Sequence, residues 1–563
     1  KLLTQTDGNN HTTTLTYDDN NLLETQYAHG GANDPAKTDS FKFDSRGNLA
    51  EHTDRNGNTT VYTYDDFGRL IETENGEESI TYTYDNIGNV LTMTDSSGTT
   101  TYTYDSMGRI LTKNHSVTGT VTYTYDDYTD VPYGLVSEPT TDPKGNTVEK
   151  WYDSLDKIYK VIDGNDVTVY NYYENDQLSS VTVPGGTTTS YTYDEEGNLL
   201  TLTNKKSDGT VLDSFTYTYS DDTLGVKNQV SKTETVGGVQ VGTTSYEYAG
   251  LGRLTKTVTP DGVQNVYTYD GAGNRLTKTS TAGEESAVTE YTYDEQNRLL
   301  NTSAYVAGGT DEVNTYYGYD NNGNQISRWT QTEKTSGTED AVTLSELGIN
   351  AADETAVYEY DVFNRLTAIY QGDTIIENTY DGAGDNISRV EDGVPVYYVY
   401  DGNTVILELD GNGAEKARNV YGRNLIARES DGEKAIYRYN GHGDVITIMG
   451  TDGTAISSYE YDEFGNETAS TGTFDNPYRY AGYEYLDEVE LYDLNARYYD
   501  PSIARFLTED PYYNLGNRVM GVYEINVPNV YSIMQANALY AYSGNNPIMF
   551  VDPSGSLGYG CRI

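Results

Sequence analysis

One phrase recurs along the chain. "YTYDDFGRL" begins at Tyr62, "YTYDNIGNV" at Tyr82 and "YTYDSMGRI" at Tyr102, so Tyr64-Asp65, Tyr84-Asp85 and Tyr104-Asp105 fall 20 residues apart. A unit of that length is one supersecondary element, which becomes stable only by stacking on its neighbours. Within it the pattern is that of a strand. Tyr62 and Tyr64 point to one face, Val61 and Thr63 to the other. Asp65 then ends the strand, Gly68 supplies a positive φ, and a returning strand begins near Leu70. A second turn is expected at Asn75-Gly76, and in the next unit at Ser97-Gly98.

Further copies start at Tyr17, Phe43, Tyr191, Tyr246, Tyr267, Tyr291, Tyr317, Tyr358 and Tyr380. The spacing loosens between Tyr125 and Tyr152, and a short helix or loop insertion is expected over Thr343 to Thr355. No linker interrupts the array, so one continuous, solenoid-like sheet is expected rather than separate beads. Stacked tyrosines would form a ladder across it, and the Asp–Gly corners would fix its register. On this reading the aspartates are turn formers, not catalysts.

Composition supports an unusual all-β object. Val, Ile, Leu and Phe make up only roughly a fifth of the chain, near the disorder threshold, but 57 tyrosines at strict intervals exclude disorder. Tyrosine is then the main apolar material, with a hydroxyl that tolerates partial wetting. A solid sandwich of 563 residues would need more aliphatic side chains. A long sheet with solvent or cargo on both faces would not. The net charge of −51, from 36 basic and 87 acidic residues, argues against nucleic acid and anionic membranes as partners.

The single cysteine, Cys561, excludes a disulfide framework and suits export. No apolar run is long enough to span a bilayer. "KLLTQTDGNN" reads as the second half of a repeat, as expected of a fragment of a longer polypeptide. The five histidines, His11, His29, His52, His115 and His442, are scattered, and no cofactor or metal is implied. The runs at Asp270, Asp320 and Asp410 resemble calcium loops but lack the distant glutamate, and turn geometry explains them. No phosphate-binding loop, dinucleotide fingerprint or Ser/His/Asp motif is present, so no enzyme acting on external substrates is expected.

The Tyr-Asp phrases resemble the YD, or Rhs, repeats of bacterial Rhs and wall-associated proteins, toxin-complex C subunits and teneurins. Tyr437 to Asn466, Asn476 to Pro511 and Ala538 to Gly555 resemble the Rhs-associated core domain. The resemblance implies a repeat array over residues 1–435, a core domain over 436–555 and the start of a variable region at 556–563. It implies antiparallel hairpins spiralling into a hollow β shell, closed at the C-terminal end by the core. It also implies an enclosed C-terminal toxin, delivered by partner machinery or through a target-cell receptor, in a secreted or surface-bound bacterial protein.

In several such proteins the core cuts its own chain after a DPxG motif with paired aspartates. The matching residues here are Asp510 and Asp552, with Arg505 as the basic residue before the first, and Gly555, Ser556 and Leu557 as the cleavage region. Two departures stand out: Tyr512-Tyr513 follows the first Asp-Pro, and an insertion separates the two aspartates. The expected role is thus an encapsulating shell for an effector, released by aspartate-dependent self-cleavage after the DPSG motif. The alternative is a surface adhesion or carbohydrate-binding repeat protein.

Overall fold

The computed structural model describes residues 3–20, 22–27, 37–76, 78–127, 136–221, 227–309, 312–333, 355–510 and 538–556. The insertion expected before Thr355 lies outside them. Forty-two strands, from Thr4–Thr6 to Glu467–Gly472, form one sheet. Consecutive strands pair antiparallel, as between Thr59–Tyr64 and Leu70–Asn75. A second sheet has four short strands, Glu484–Leu486, Leu491–Asp493, Tyr498–Asp500 and Arg505–Phe506. The protein is all-β, and the continuous sheet expected from the repeats is present. Among the described residues no helix is long and apolar enough to cross a membrane.

Each residue of the repeated phrase has a task in the hairpin. Asp65 Oδ1 accepts from the backbone N–H groups of Phe67 and Arg69, both at 2.9 Å, which folds the turn. Its Oδ2 accepts from Arg69 Nε at 2.7 Å. Gly68 takes the φ of +82° that L side chains avoid. Arg69 then reaches the next repeat, donating to the carbonyl of Asp85 at 2.9 Å and lying 4.7 Å from the Tyr84 ring centre. Where asparagine replaces the arginine, as at Asn89, its amide makes the same bond to Asp85 at 2.8 Å.

The tyrosine marks a bulge. Thr63 pairs with Glu72, but Tyr64 pairs with Leu70, so one residue of the returning strand is skipped. The same slip occurs at Tyr84, Tyr104, Tyr193, Tyr269, Tyr380 and Tyr461. It twists the ribbon in the same sense at repeat after repeat, and so curls it.

The ribbon passes itself. Asn9 Nδ2 donates to Asp270 Oδ2 at 2.8 Å, and Asn56 Nδ2 to Asp320 Oδ2 at 2.9 Å. The sequence separation across one winding is 287 residues at Asp95–Gly382, 224 at Tyr217–Gly441 and 198 at Asn265–Glu463. From 261 at Asn9–Asp270 the separation first rises and then shortens, so only the last part of the spiral is tighter. Early contacts join turn to turn. Later ones lay the second winding against the face of the first, where Ile158, Val161, Tyr170 and Leu178 pack on Val420, Ile426, Ile436 and Met449.

Buried apolar side chains do not converge on one core. They form separate clusters along the wall, such as Leu15 with Leu23 and Phe41, or Val121 with Val399 and Leu407. Each cluster fastens neighbouring strands or windings locally, leaving a hollow shell that the small sheet closes at the C-terminal end. The repeat hairpins run on in the large sheet as far as Gly472.

Candidate functional site

The small sheet is built on aromatic rings. Tyr480, Tyr483, Tyr492, Tyr499, Phe506 and Tyr542 pack into one buried cluster, with the Tyr483 and Tyr542 hydroxyls 3.0 Å apart. Tyr483 also accepts the backbone N–H of Asp552 at 2.8 Å, which fixes the second Asp-Pro segment against the sheet. The first such segment leaves the strand Arg505–Phe506 through Leu507, whose N–H donates to the carbonyl of Tyr498 at 3.0 Å.

These two segments bring Asp510 and Asp552 to the same nitrogen. Arg497 Nη2 lies 3.2 Å from Asp510 Oδ2 and 3.3 Å from Asp552 Oδ2. All three side chains are 1% exposed. Arg497 Nη1 donates to the carbonyl of Leu539 at 3.0 Å, and the guanidinium carbon sits 3.5 Å from the centre of the Phe506 ring. The remaining donor, Nε, makes a short hydrogen bond to the carbonyl oxygen of Gly555. One cation thus organises two carboxylates and one peptide carbonyl in a site shut off from bulk water, where electrostatic interactions are strong.

The Gly555–Ser556 peptide is held at both ends. Arg497 holds its carbonyl, and its N–H donates to Asp552 Oδ1 at 3.2 Å. Gly555 has φ +66°, and a Cβ there would lie 2.7 Å from the Leu494 carbonyl oxygen and 2.9 Å from the Arg497 nitrogen. Only glycine fits so close to the arginine's own backbone. The Ser554 and Ser556 hydroxyls are 2.9 Å apart. A cavity of about 860 Å³ adjoins this site, and Arg497, Asp510, Ser554 and Ser556 face Arg55, Arg365 and Asp385 of the wall across it.

Of the residues singled out in the sequence, Asp510, Asp552, Gly555 and Ser556 come together. Leu557 lies outside the described residues, as does Tyr512-Tyr513. Arg505 turns away to the wall. Its Nη2 donates to the Asn297 carbonyl at 2.6 Å, its Nη1 to Asn274 Oδ1 at 3.2 Å, and its guanidinium stacks over Tyr293 and Tyr540. The strand register explains this, because Arg505 pairs across from Asp500 at the outer end of the small sheet. Sequence reasoning missed Arg497. Its signal was faint: an arginine directly before the Tyr498-Tyr499 pair in "LNARYYD". The candidate calcium runs are ordinary turns, with Asp320 accepting from the Asn324 backbone and side chain, both at 2.8 Å.

The sequence matches the RHS repeat family over residues 43–78 and 84–121, and the teneurin YD-shell family over 146–288 and 275–548. It is 30% identical over 425 residues to the tRNA3(Ser)-specific nuclease WapA of Bacillus spizizenii, and 29% identical over 425 residues to the tRNA nuclease WapA of Bacillus subtilis. Each match covers 74% of this chain but 16% of the relative, so the chain spans about a sixth of the length of those curated proteins. Among solved structures, TcdB2-TccC3-TEV superimposes with a TM-score of 0.64 at 17% identity, over 97% of this chain and 30% of that one. TcdB2-TccC3 gives 0.58 at 15% identity, over 98% and 31%. At these identities the likeness is one of fold.

Proposed function

The chain belongs to the teneurin YD-shell family, and on that premise we propose that it is the container of a toxin-type protein, enclosing a C-terminal effector and releasing it by cutting the chain at Gly555–Ser556. Residues 436–555 act as the closing core, and the cargo is the polypeptide that follows. Relatives from two bacilli are named as tRNA nucleases, which supports an enzymatic effector as the cargo.

One observation carries the cleavage reading: a single buried guanidinium touches both aspartates and the carbonyl they would attack. Held on one guanidinium away from bulk water, the two carboxyls divide the work, Asp510 as the base and Asp552 as the acid. The ionised one takes a proton from water as the water oxygen bonds to the Gly555 carbonyl carbon. Arg497 stabilises the charge that develops on the carbonyl oxygen. Asp552, already at the Ser556 nitrogen, supplies the proton that leaves with the amine as the C–N bond breaks. The products are a Gly555 carboxylic acid, which passes its proton to the new Ser556 amine, while Asp510 is left protonated and Asp552 ionised.

Mass spectrometry of a chain extended past Ile563, with and without Asp552→Asn, tests this. A break at or next to Gly555 that disappears in the variant is the expected result. An uncut wild-type chain removes the self-cleavage reading. Protease protection of the extension, lost when the wall is opened by denaturant, tests enclosure separately.

A further inference from the structure

Arg55 belongs to a hairpin turn of the first winding, 454 residues from Glu509. It is nevertheless only 12% exposed, and forks onto that carboxylate with Nη2 2.6 Å from Oε2 and Nη1 3.2 Å from Oε1. Nη2 also donates to the carbonyl of Asn322 in the second winding at 2.8 Å, and Nε lies 3.4 Å from Asp39. Tyr540 completes the junction. Its hydroxyl is 2.8 Å from the carbonyl of Gly323 and 3.5 Å from Glu509 Oε1. The packing is tight enough that a Cβ on Gly323 would lie 2.5 Å from the Tyr540 oxygen and 2.7 Å from Glu509 Oε1. First winding, second winding and core meet at this one bidentate pair.

The junction is joined to the cleavage centre from two sides. Glu509 is the residue before Asp510. Leu539, next to Tyr540, gives its carbonyl to Arg497 Nη1. Both the first aspartate and the arginine that aligns it therefore hang from the groups Arg55 clamps. We propose that Arg55 is a positioning residue for the self-cleavage reaction, so that the aspartate pair is completed only after the first winding has closed over the core. This rests on the self-cleavage reading above. It makes cutting follow enclosure, because a clamp drawn from residue 55 is absent until the wall is assembled.

The reaction is followed by intact mass on the chain ending at Ile563, over a range of pH, for wild type, Arg55→Gln, Arg55→Lys and the swapped pair Arg55→Glu with Glu509→Arg. Arg55→Gln is expected to cut about tenfold to a hundredfold more slowly, the range expected when a reacting group is displaced by about an ångström. With one cation fewer beside the aspartate pair, the acid limb of the rate profile should move to higher pH, a change that mere loss of folded protein does not produce. The swapped pair should recover part of the rate, and decides the matter if Arg55→Gln does not fold. Wild-type rate and profile in Arg55→Gln, or a folded swapped pair no faster than a folded Arg55→Gln, overturn the proposal. A wild type that never cuts overturns it too, and is told apart because it fails with the clamp intact.

Discussion

The hydroxyl of Tyr104 donates to the main-chain carbonyl of Val90 across 2.7 Å. Val90 sits at the bulge of the preceding hairpin, opposite Tyr84. The same bond runs from Tyr64 to Leu49, Tyr269 to Leu254, Tyr380 to Leu366 and Tyr439 to Leu425. In these repeats the bulge carbonyl is thus capped by the next repeat's tyrosine. This is why the array uses tyrosine where phenylalanine would supply the same ring.

Tyr104→Phe should therefore weaken the wall by about 1–2 kcal/mol, the usual consequence of leaving a shielded carbonyl without its donor. A long repeat array does not unfold in one step, so a global midpoint is the wrong readout. Amide exchange should instead speed up locally, in the strands Val90–Asp95 and Gly98–Tyr104. Unchanged exchange there would show the hydroxyl to be incidental.

Two of the three phenylalanines at the third turn position give an internal control. Phe67 is 85% exposed on the first winding. Phe464, in the equivalent turn of the second, is 2% exposed, with its ring centre 5.4 Å from that of Tyr267 and the Arg275 guanidinium 4.2 Å away. Phe464→Ala should destabilise by about 3–5 kcal/mol, and Phe67→Ala by about 0.5 kcal/mol at most. Equal losses, measured by denaturant titration of the slowest-exchanging amides, would mean that the windings do not pack as described.

The hairpins were legible because their signal is local. Tyr64, Asp65 and Gly68 stand within five residues and define a strand end and its turn without reference to anything distant. The bulge was not legible, since alternation is a property of one strand and a bulge of two. Nor were the contacts between windings, such as Asn265 with Glu463, because nothing near either residue encodes a partner 198 positions away. The place of Arg497 was not legible for a related reason. The resemblance pointed to Arg505, whereas the contact of Arg497 with both aspartates depends on how two Asp-Pro segments distant in sequence are brought together.

The turn at Asp381 breaks the donor rule with a second carboxylate. Asp381 is followed four residues later by Asp385, where other turns place Asn89 or Arg69. Burial first, and the neighbouring charge of Asp385 second, push the Asp381 carboxyl up to about 6. A carboxyl raised in the folded state stabilises most when protonated. Its contribution is complete below 3.8 and is lost as pH rises through about 6. Asp385→Asn should restore the amide bond and flatten that slope. Lys113, 3.4 Å from Asp385, loses its ion partner, so the effect is read as a change in slope rather than in level. An unaltered pH dependence of exchange in the strand Asn386–Glu391 would refute it.

Glu463 offers a sharper version between windings. Its Oε1 accepts from Asn265 at 3.1 Å and Thr257 at 3.4 Å, and makes a short bond with the Tyr267 hydroxyl, all from the first winding. Burial lifts the carboxyl from 4.5 to about 7, so ionisation opposes the packing that the three donors favour. The contact should be tightest below pH 4.5 and weaken as pH climbs through about 7. Glu463→Gln keeps an acceptor for the same donors but cannot ionise. After correction for intrinsic exchange, the wild-type strand Gln264–Tyr269 should be less protected at pH 8 than at pH 5, and the variant equally protected at both. If the glutamine variant loses protection just as the wild type does, the titrating group lies elsewhere and Glu463 is not the pH-sensitive link between the windings.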